Sequence, residues 1–402
     1  MDIEELLRKT VVSKASDLHL TVGAPPTIRL HGEMQPLPYP ELTRDILRTM
    51  LIGILTGDQQ NRFEEKRDLD FSIEIPNLAR FRCNFFVGRR GEGAVFRVIP
   101  TEIKSFEALG LPPTLAELAR AERGLVLVTG PTGSGKSTTL AAMVDLINCE
   151  RHAHILTVED PIEFVHPHKK CLVNQREVKV HTESFASALR AALREDPDVI
   201  LVGEMRDLET ISLAVSAAET GHLVFGTLHT SSAAQTIDRI IDVFPPHQQS
   251  QIRTQLSESL QGVIAQTLVP KIGGGRVAAL EIMTTTAAVK NLIREGKTFQ
   301  LPSIIETNSN LGMITLGQAL QALVISGTIT PENAVIKGLD PALLSSLRIA
   351  TPPAMNGSGN SNGPAAPRPE TPAPSFAKSA SLDDDDELGS LSPLTTPFSF
   401  KR

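Results

Sequence analysis

The sequence is poor in cysteine, and this shortage excludes two classes of protein. Its 402 residues include three cysteines, Cys83, Cys149 and Cys171, and no two of them form a Cys-x-x-Cys pair. Three isolated cysteines favour a reducing compartment. They argue against a disulfide framework and against a cysteine-based zinc site.

The sequence also lacks an excess of positive charge and any long apolar run. Lysines and arginines number 39 against 46 aspartates and glutamates, which gives a formal net charge of −7. A motor that grips nucleic acid normally carries a basic surface, which this balance disfavours. No apolar run approaches the ~20 residues that cross a bilayer, and residues 1–5 are acidic where a signal peptide is basic. We therefore expect a cytoplasmic protein with no nucleic-acid partner and no membrane insertion.

The pattern of apolar residues divides the chain into four segments. Residues 1–99 alternate short strand candidates with turns, which predicts an antiparallel sheet with a few helices. Residues 100–123 indicate a linker with one short helix. In residues 124–349 strands alternate with helices, which predicts a parallel sheet covered on both faces and a helical bundle after residue 280. Residues 350–402, rich in Pro, Ser, Asn and Gly, are predicted to be a disordered tail. The expected fold class is α/β.

A complete phosphate-binding loop lies between an apolar strand candidate and a helical pattern. It consists of Gly130, Pro131, Thr132, Gly133, Ser134, Gly135, Lys136 and Ser137, followed by Thr138. The glycines let backbone N–H groups curl around an anion, and the helix N-terminus adds a favourable dipole. Lys136 is placed to reach the β- and γ-phosphates, and the Ser137 hydroxyl to bind Mg²⁺. The sequence therefore predicts a site for ATP and Mg²⁺.

Acidic residues follow two of the predicted parallel strands, where a doubly wound sheet binds its ligand. Glu159, Asp160 and Glu163 follow strand 154–158, and Glu204 follows strand 198–202. One carboxylate there can hold Mg²⁺, directly or through water, and another can orient or deprotonate the attacking water. The alternative is that these acids only cap loops.

His229 stands at the carboxyl end of the predicted strand 223–228. From that position it can contact a γ-phosphate. A packed, hydrogen-bonded histidine is an equally good interpretation of the same residue.

Together these motifs resemble the type IV pilus retraction ATPases of the secretion ATPase superfamily. The resemblance runs over residues 1–338 and rests on the phosphate loop and on four further segments. These are residues 16–20, residues 159–166 (the Asp box), residues 201–207 (an atypical Walker B motif) and residues 221–230 (the His box). Residues 288–295 also resemble a helix motif of the retraction members. The family's extension and secretion members usually carry a four-cysteine zinc insert, so three isolated cysteines favour the retraction type.

The resemblance implies a fold, an assembly and roles for particular residues. It implies a PAS-like N-terminal domain, a RecA-like C-terminal domain and a homohexamer. Glu204 would hold Mg²⁺ through water, Glu163 would activate the hydrolytic water, and His229 would sense the γ-phosphate. Arg82 and Arg97 would face the nucleotide between domains or subunits and stabilise transition-state charge. A salt bridge between strands is the alternative for these two arginines.

Two functions are consistent with these observations. The first is a hexameric motor that powers pilus retraction by acting on an inner-membrane platform protein, to which it would bind peripherally. The second is an ATP-binding accessory regulator that modulates a paralogous retraction ATPase and turns over little ATP. The presence of both Glu163 and Glu204 favours the motor.

Overall fold

Two β-sheets organise the chain, one with six strands and one with seven. The computed structural model describes residues 2–30, 32–76, 78–99 and 102–346. The predicted disordered tail, residues 350–402, lies outside these residues. Both sheets belong to one compact unit. Among the described residues, no helix is both long enough and apolar enough to span a bilayer.

The N-terminal sheet has the strand order β3-β2-β1-β6-β5-β4, and every pair of neighbours is antiparallel. Its elements in chain order are α1 (Ile3–Val12), β1 (Asp17–Thr21), β2 (Thr27–Leu30), β3 (Glu33–Pro36), α2 (Arg44–Ile52), α3 (Gly57–Lys66), β4 (Asp68–Ile75), β5 (Ala79–Gly88) and β6 (Gly91–Ile99). The predicted antiparallel sheet is confirmed, whereas β3 and α1 were not predicted.

Alternation along β5 separates an apolar face of the N-terminal sheet from a polar one. Phe81 and Phe85 are fully buried, whereas Arg82 between them is exposed. A strand with period two places alternate side chains on opposite faces. Phe85 meets Phe71 and Phe96 edge-to-face, with ring centroids 4.9 and 5.6 Å apart. The aromatic face is therefore the core, and the opposite face presents arginines.

Residues 102–346 form the C-terminal sheet and its helices. Their elements are α4 (Phe106–Leu109), α5 (Pro113–Ala119), β7 (Gly124–Thr129), α6 (Lys136–Glu150), β8 (His154–Glu159), β9 (Leu172–Glu177), α7 (Phe185–Ala192), β10 (Val199–Val202), α8 (Leu208–Glu219), β11 (Leu223–Leu228), α9 (Ala233–Asp242), α10 (Pro246–Ser259), β12 (Leu260–Pro270), β13 (Arg276–Thr284), α11 (Ala287–Arg294), α12 (Leu301–Thr307), α13 (Leu316–Ile325), α14 (Pro331–Ile336) and α15 (Pro341–Ser346). Two 3-10 turns, Thr298–Gln300 and Ser309–Leu311, flank α12.

The C-terminal sheet has the order β13-β12-β7-β11-β10-β8-β9 and is mixed. The six strands from β12 to β9 in this order are parallel to one another. The edge strand β13 pairs with β12 in the antiparallel direction. The predicted parallel sheet is confirmed for the four strands that the sequence indicates, β7, β8, β10 and β11, whereas the antiparallel strand β13 at this edge was not predicted. All residues of β7, β10 and β11 are buried, as expected for strands covered on both faces.

The segment predicted to be a linker packs against the C-terminal sheet. It contains two helices, α4 and α5, where one was predicted. Leu115 and Ala119 on α5 are fully buried in the cluster that also holds Val126 and Val128 of β7. The apolar spacing of α5 explains this, because Leu115 and Ala119 are four residues apart and share one helix face.

Candidate active site

The phosphate loop, residues 130–137, connects β7 to α6 through three glycines in left-handed backbone conformations. Gly130, Gly133 and Gly135 have φ angles of 143°, 79° and 91°. A Cβ on Gly130 would lie 2.3 Å from the carbonyl oxygen of Gln266, so glycine is required by space as well as by backbone conformation. The loop is thus pressed directly against the neighbouring strand β12.

Gln266 on β12 clamps the loop and was not predicted from the sequence. Its side-chain nitrogen donates to the Ser134 carbonyl oxygen at 2.8 Å, and its side-chain oxygen accepts from the Thr139 hydroxyl at 2.8 Å. The residue is 4% exposed. The sequence pattern did not predict this role because it did not indicate β12 and β13 as strands. The glycine run at 273–275 between two alternating segments is a hairpin signal that could have found them.

The start of α6 has the properties of an anion site. As in every α-helix, its first N–H groups have no intrahelical partner, and here no side chain caps them. These N–H groups are therefore available to an anion. The Ser134 hydroxyl beside it is buried and has no hydrogen-bond partner in the described part of the chain. Lys136 Nζ donates to the carbonyl oxygens of Gly130 and Pro131 at 2.6 and 3.3 Å. Burial lowers the pKa of Lys136, while the negative charge of Glu204 opposes this effect. These residues fit a polyphosphate.

A cavity of about 560 Å³ lies in front of the loop. It is lined by most of the predicted site residues, namely Arg82, Arg97, Thr132, Gly133, Ser134, Gly135, Lys136, Ser137, Thr138, Glu163, Glu204 and His229. Gly130 and Pro131 are not among the residues that line it, and their carbonyl oxygens accept hydrogen bonds from Lys136. The carboxyl ends of β7, β8, β10 and β11 lie at one edge of the sheet, and this explains why these segments meet.

Glu204 and His229 are neighbours in this cavity. His229 Nε2 lies 2.9 Å from Glu204 Oε1, and the same oxygen accepts a hydrogen bond from the Arg206 guanidinium. The Glu204 side chain is 20% exposed. The described residues contain no group of three or more His, Cys, Asp or Glu side chains able to hold a metal by themselves. A Mg²⁺ ion held by Ser137 and Glu204 would therefore need phosphate oxygens and water as its other ligands, which is the usual arrangement for this ion.

Glu163 is exposed to the cavity, and a buried carboxyl group supports its backbone. Glu159 accepts the Glu163 N–H at 3.1 Å through Oε2 and the Thr157 hydroxyl at 2.7 Å through Oε1. Burial raises the pKa of Glu159. Glu159 is thus a loop-supporting group, which matches the capping alternative for this residue. Glu163, whose side chain faces the cavity, is available for chemistry.

Arg82 and Arg97 lie directly opposite each other on β5 and β6 and line the cavity from the N-terminal sheet. Arg97 Nε donates to Asp17 Oδ1 at 2.8 Å, so the predicted alternative of a strand salt bridge is present for this residue. Its side chain is nevertheless 64% exposed. Arg82 makes no ion pair with a described residue.

The fold and the site together define a P-loop nucleotide-binding protein with an α/β sheet. The family model described as "Type II/IV secretion system protein" matches residues 1–292. The chain belongs to this family, and it is an ATPase.

Characterised proteins of the family resemble this chain over most of its length. The chain is 57% identical to the type IV pilus retraction ATPase PilT of Pseudomonas aeruginosa, over 85% of this chain and 99% of PilT. It is 41% identical to the type IV pilus ATPase PilU of the same organism, over 83% of this chain and 88% of PilU. A crystal structure of the pilus retraction motor PilT with bound ADP matches with a TM-score of 0.81 at 49% identity, covering 86% of this chain and all of that one.

Proposed function

We propose that this chain is a Mg-ATP-hydrolysing motor that powers type IV pilus retraction and thereby twitching motility. The observation that supports it best is that one cavity is lined by the phosphate loop together with Glu163, Glu204, His229, Arg82 and Arg97. The similarity to PilT adds the pilus as the object of the work. We place the motor in the cytoplasm as a homohexamer that acts on an inner-membrane platform protein.

The proposed domains follow from the two sheets. Residues 1–99 form a PAS-like N-terminal domain, residues 100–123 a connecting segment, and residues 124–349 a RecA-like ATPase domain with a helical extension. The cavity lies between the arginine face of the first sheet and the strand ends of the second. Closure of these two lobes around ATP, followed by hydrolysis and reopening, would convert chemistry into movement.

Each site residue has a chemical task in this proposal. The phosphate-loop N–H groups and Lys136 hold the β- and γ-phosphates, and Ser137 and Glu204 hold Mg²⁺, which neutralises developing charge when bound. Glu163 orients the attacking water and accepts its proton. His229 contacts the γ-phosphate and reports its loss to Glu204, 2.9 Å away.

Arg82 and Arg97 complete the proposed site from the opposite side. Their guanidinium groups stabilise the charge that builds on the γ-phosphate oxygens in the transition state. Since both lie on the N-terminal sheet, hydrolysis depends on the position of that sheet. This dependence would couple chemistry to domain movement.

The second candidate is an accessory ATP-binding regulator of a paralogous motor, for which the similarity to PilU is the specific observation. A steady-state ATPase assay of the purified chain separates the two candidates. Sustained turnover at saturating Mg-ATP supports the motor, and negligible turnover supports the regulator. In a strain that lacks the gene, surplus surface pili without movement would support retraction, and normal movement would argue against it.

The Glu163→Gln variant tests the proposed base. Glutamine keeps the size of the side chain but cannot accept the proton, so kcat should fall at least a hundredfold while ATP still binds. Glu183→Gln, an exposed glutamate outside the cavity lining, is the matched control and should retain wild-type kcat. Near-normal kcat in Glu163→Gln would remove this residue from the chemical step.

A further inference from the structure

A buried ion pair joins the two sheets at a distance from the reacting groups. Arg80 Nη2 on β5 donates to Glu177 Oε2, at the end of β9, at 2.5 Å. Ser72 on β4 donates its hydroxyl to Glu177 Oε1 at 2.7 Å. The two charged side chains are only 13% and 4% exposed. Burying an ion pair usually costs about as much free energy as the pair contributes to stability. The role of this pair therefore lies in the groups that it holds in place.

On the N-terminal sheet, the ion pair anchors the face that carries the cavity arginines. Arg80 precedes Arg82 by two residues on β5 and therefore shares its face. Ser72 and Arg97 lie directly opposite Arg82 on the two neighbouring strands. Fixing Arg80 and Ser72 on Glu177 therefore holds the arginine face in position relative to β9 of the C-terminal sheet.

On the C-terminal sheet, the same carboxylate holds the loop that carries the proposed base. Glu177 Oε2 also accepts the backbone N–H of Ile162 at 3.2 Å. Ile162 precedes Glu163, whose own N–H is held by Glu159. One oxygen of Glu177 thus contacts both the arginine face and the loop of Glu163.

We propose that Glu177 and Arg80 are positioning residues for ATP hydrolysis, setting Arg82 and Arg97 relative to Glu163. Neither side chain lines the phosphate cavity, so both act through the groups that they hold. This inference rests on the proposed ATPase function and adds a coupling between its two halves. The phosphate loop and Lys136 form no hydrogen bond or ion pair with Arg80 or Glu177, so we expect the pair to act on turnover more than on ATP affinity.

The test is the Arg80→Gln variant, measured for steady-state turnover and for the binding of a non-hydrolysable ATP analogue. We expect kcat to fall at least tenfold while the analogue's Kd changes less than threefold. Arg80→Lys keeps a cation for Glu177 and should recover most of the lost turnover. Arg120→Gln, which breaks an exposed bidentate pair with Glu150, is the matched control and should leave kcat unchanged.

A background that carries both Arg82→Ala and Arg97→Ala separates positioning from general destabilisation. If Arg80 acts through the cavity arginines, Arg80→Gln should lower kcat less than twofold once both arginines are absent. An equal fold-loss in both backgrounds, or a loss of analogue affinity that follows the loss of turnover, would overturn the proposal.

The turnover of the wild-type protein and of the Ser72→Ala variant distinguishes the remaining outcomes. If wild-type protein hydrolyses ATP and Arg80→Gln matches it, this inference fails alone; if wild-type protein does not hydrolyse ATP, the proposed function fails. Should Arg80→Gln not fold, Ser72→Ala removes one hydrogen bond to Glu177 and should lower kcat about threefold at unchanged affinity. Wild-type turnover in Ser72→Ala would then contradict the proposal.

Discussion

At the scale of single residues, the main feature is that Glu204 Oε1 faces His229 and Arg206 together. Its other oxygen makes no hydrogen bond with a described residue, and Glu204 lines the cavity together with Lys136 and Ser137. A carboxylate held on one side and open on the other is suited to bind a hydrated metal ion. The metal role of Glu204 stays a prediction.

The Glu204→Ala variant tests that role. It should still bind ATP through the phosphate loop, but turnover should fall at least tenfold, a barrier increase of about 1.4 kcal/mol. The loss should be accompanied by a higher Mg²⁺ concentration for half-maximal rate, measured by magnesium titration of the ATPase. Glu209→Ala, an exposed glutamate on α8, provides the control and should behave as wild type. An unaltered rate in Glu204→Ala would argue against a metal role.

His166 provides a pH-dependent term in stability. Burial lowers its pKa from 6.5 to about 4, so the folded protein holds it neutral while the unfolded chain takes up a proton below about pH 6.5. Its contribution is therefore complete above pH 6.5 and is lost as the pH falls toward 4. Between pH 7 and pH 5, the wild type should lose about 2 kcal/mol through this group.

Urea unfolding of wild type and His166→Gln at both pH values measures this loss. The variant should lose about 2 kcal/mol less than wild type on acidification. The exposed His152→Gln variant should retain the wild-type response. Identical acid sensitivity in all three proteins would show that His166 is not the titrating group.

At the scale of secondary-structure elements, the contact between the phosphate loop and β12 decides the geometry of the site. Gln266 holds both the loop and α6, and the Gly130 backbone passes under its carbonyl oxygen. This contact makes the loop one packing unit with β7 and β12. The glycine pattern therefore encodes a close approach of strands in addition to phosphate binding.

Gly130→Ala should be far more damaging than an alanine at another glycine of positive φ. At Gly130 the added methyl group would meet the Gln266 oxygen at 2.3 Å, so we expect a loss of about 3 kcal/mol or more. Gly110 has a φ of 65° and no atom within 4 Å of an added Cβ, so Gly110→Ala should lose only about 1 kcal/mol. Thermal unfolding of the two variants measures the difference. Equal midpoints would show that the strand contact is not required.

The elements that the sequence predicted are those with a strong local signal. β7, β10 and β11 are continuous apolar runs, and the phosphate loop marks the start of α6. The sequence therefore predicts these strands and this helix from local pattern alone. The β12–β13 hairpin was not predicted because β12 follows α10 without an intervening turn. The apolar pattern therefore changes from helical to strand spacing with no residue that marks the boundary. Gln266 and Glu177 could not be predicted as site residues, because their partners lie 127 and 97 positions away along the chain.

At the scale of the whole molecule, the described residues that line the phosphate cavity all fall within the stretch from Arg82 to Arg276. The hydrophobic clusters of the described residues extend only to Leu339. Residues 350–402 therefore contribute none of the predicted site residues. The truncated chain, residues 1–349, should retain wild-type ATPase rate and a thermal midpoint within about 2 °C. These are measured by a coupled assay and by calorimetry on both chains. A large loss of either property would show that the segment supports the site.

The arginine face described above has a consequence for cohesion between the two lobes. Arg82 and Arg97 stand opposite each other, and like charges in that register repel. Of the four arginines on this face, Arg29 and Arg97 pair with Asp17 and Arg80 pairs with Glu177, which leaves the Arg82 guanidinium repelled by its neighbours. A polyanion bound between the sheets would reduce this repulsion between the arginines. It would also accept hydrogen bonds from the phosphate loop. Because a ligand that binds only the assembled structure stabilises it, a nucleotide in this position would also strengthen the contact between the two lobes.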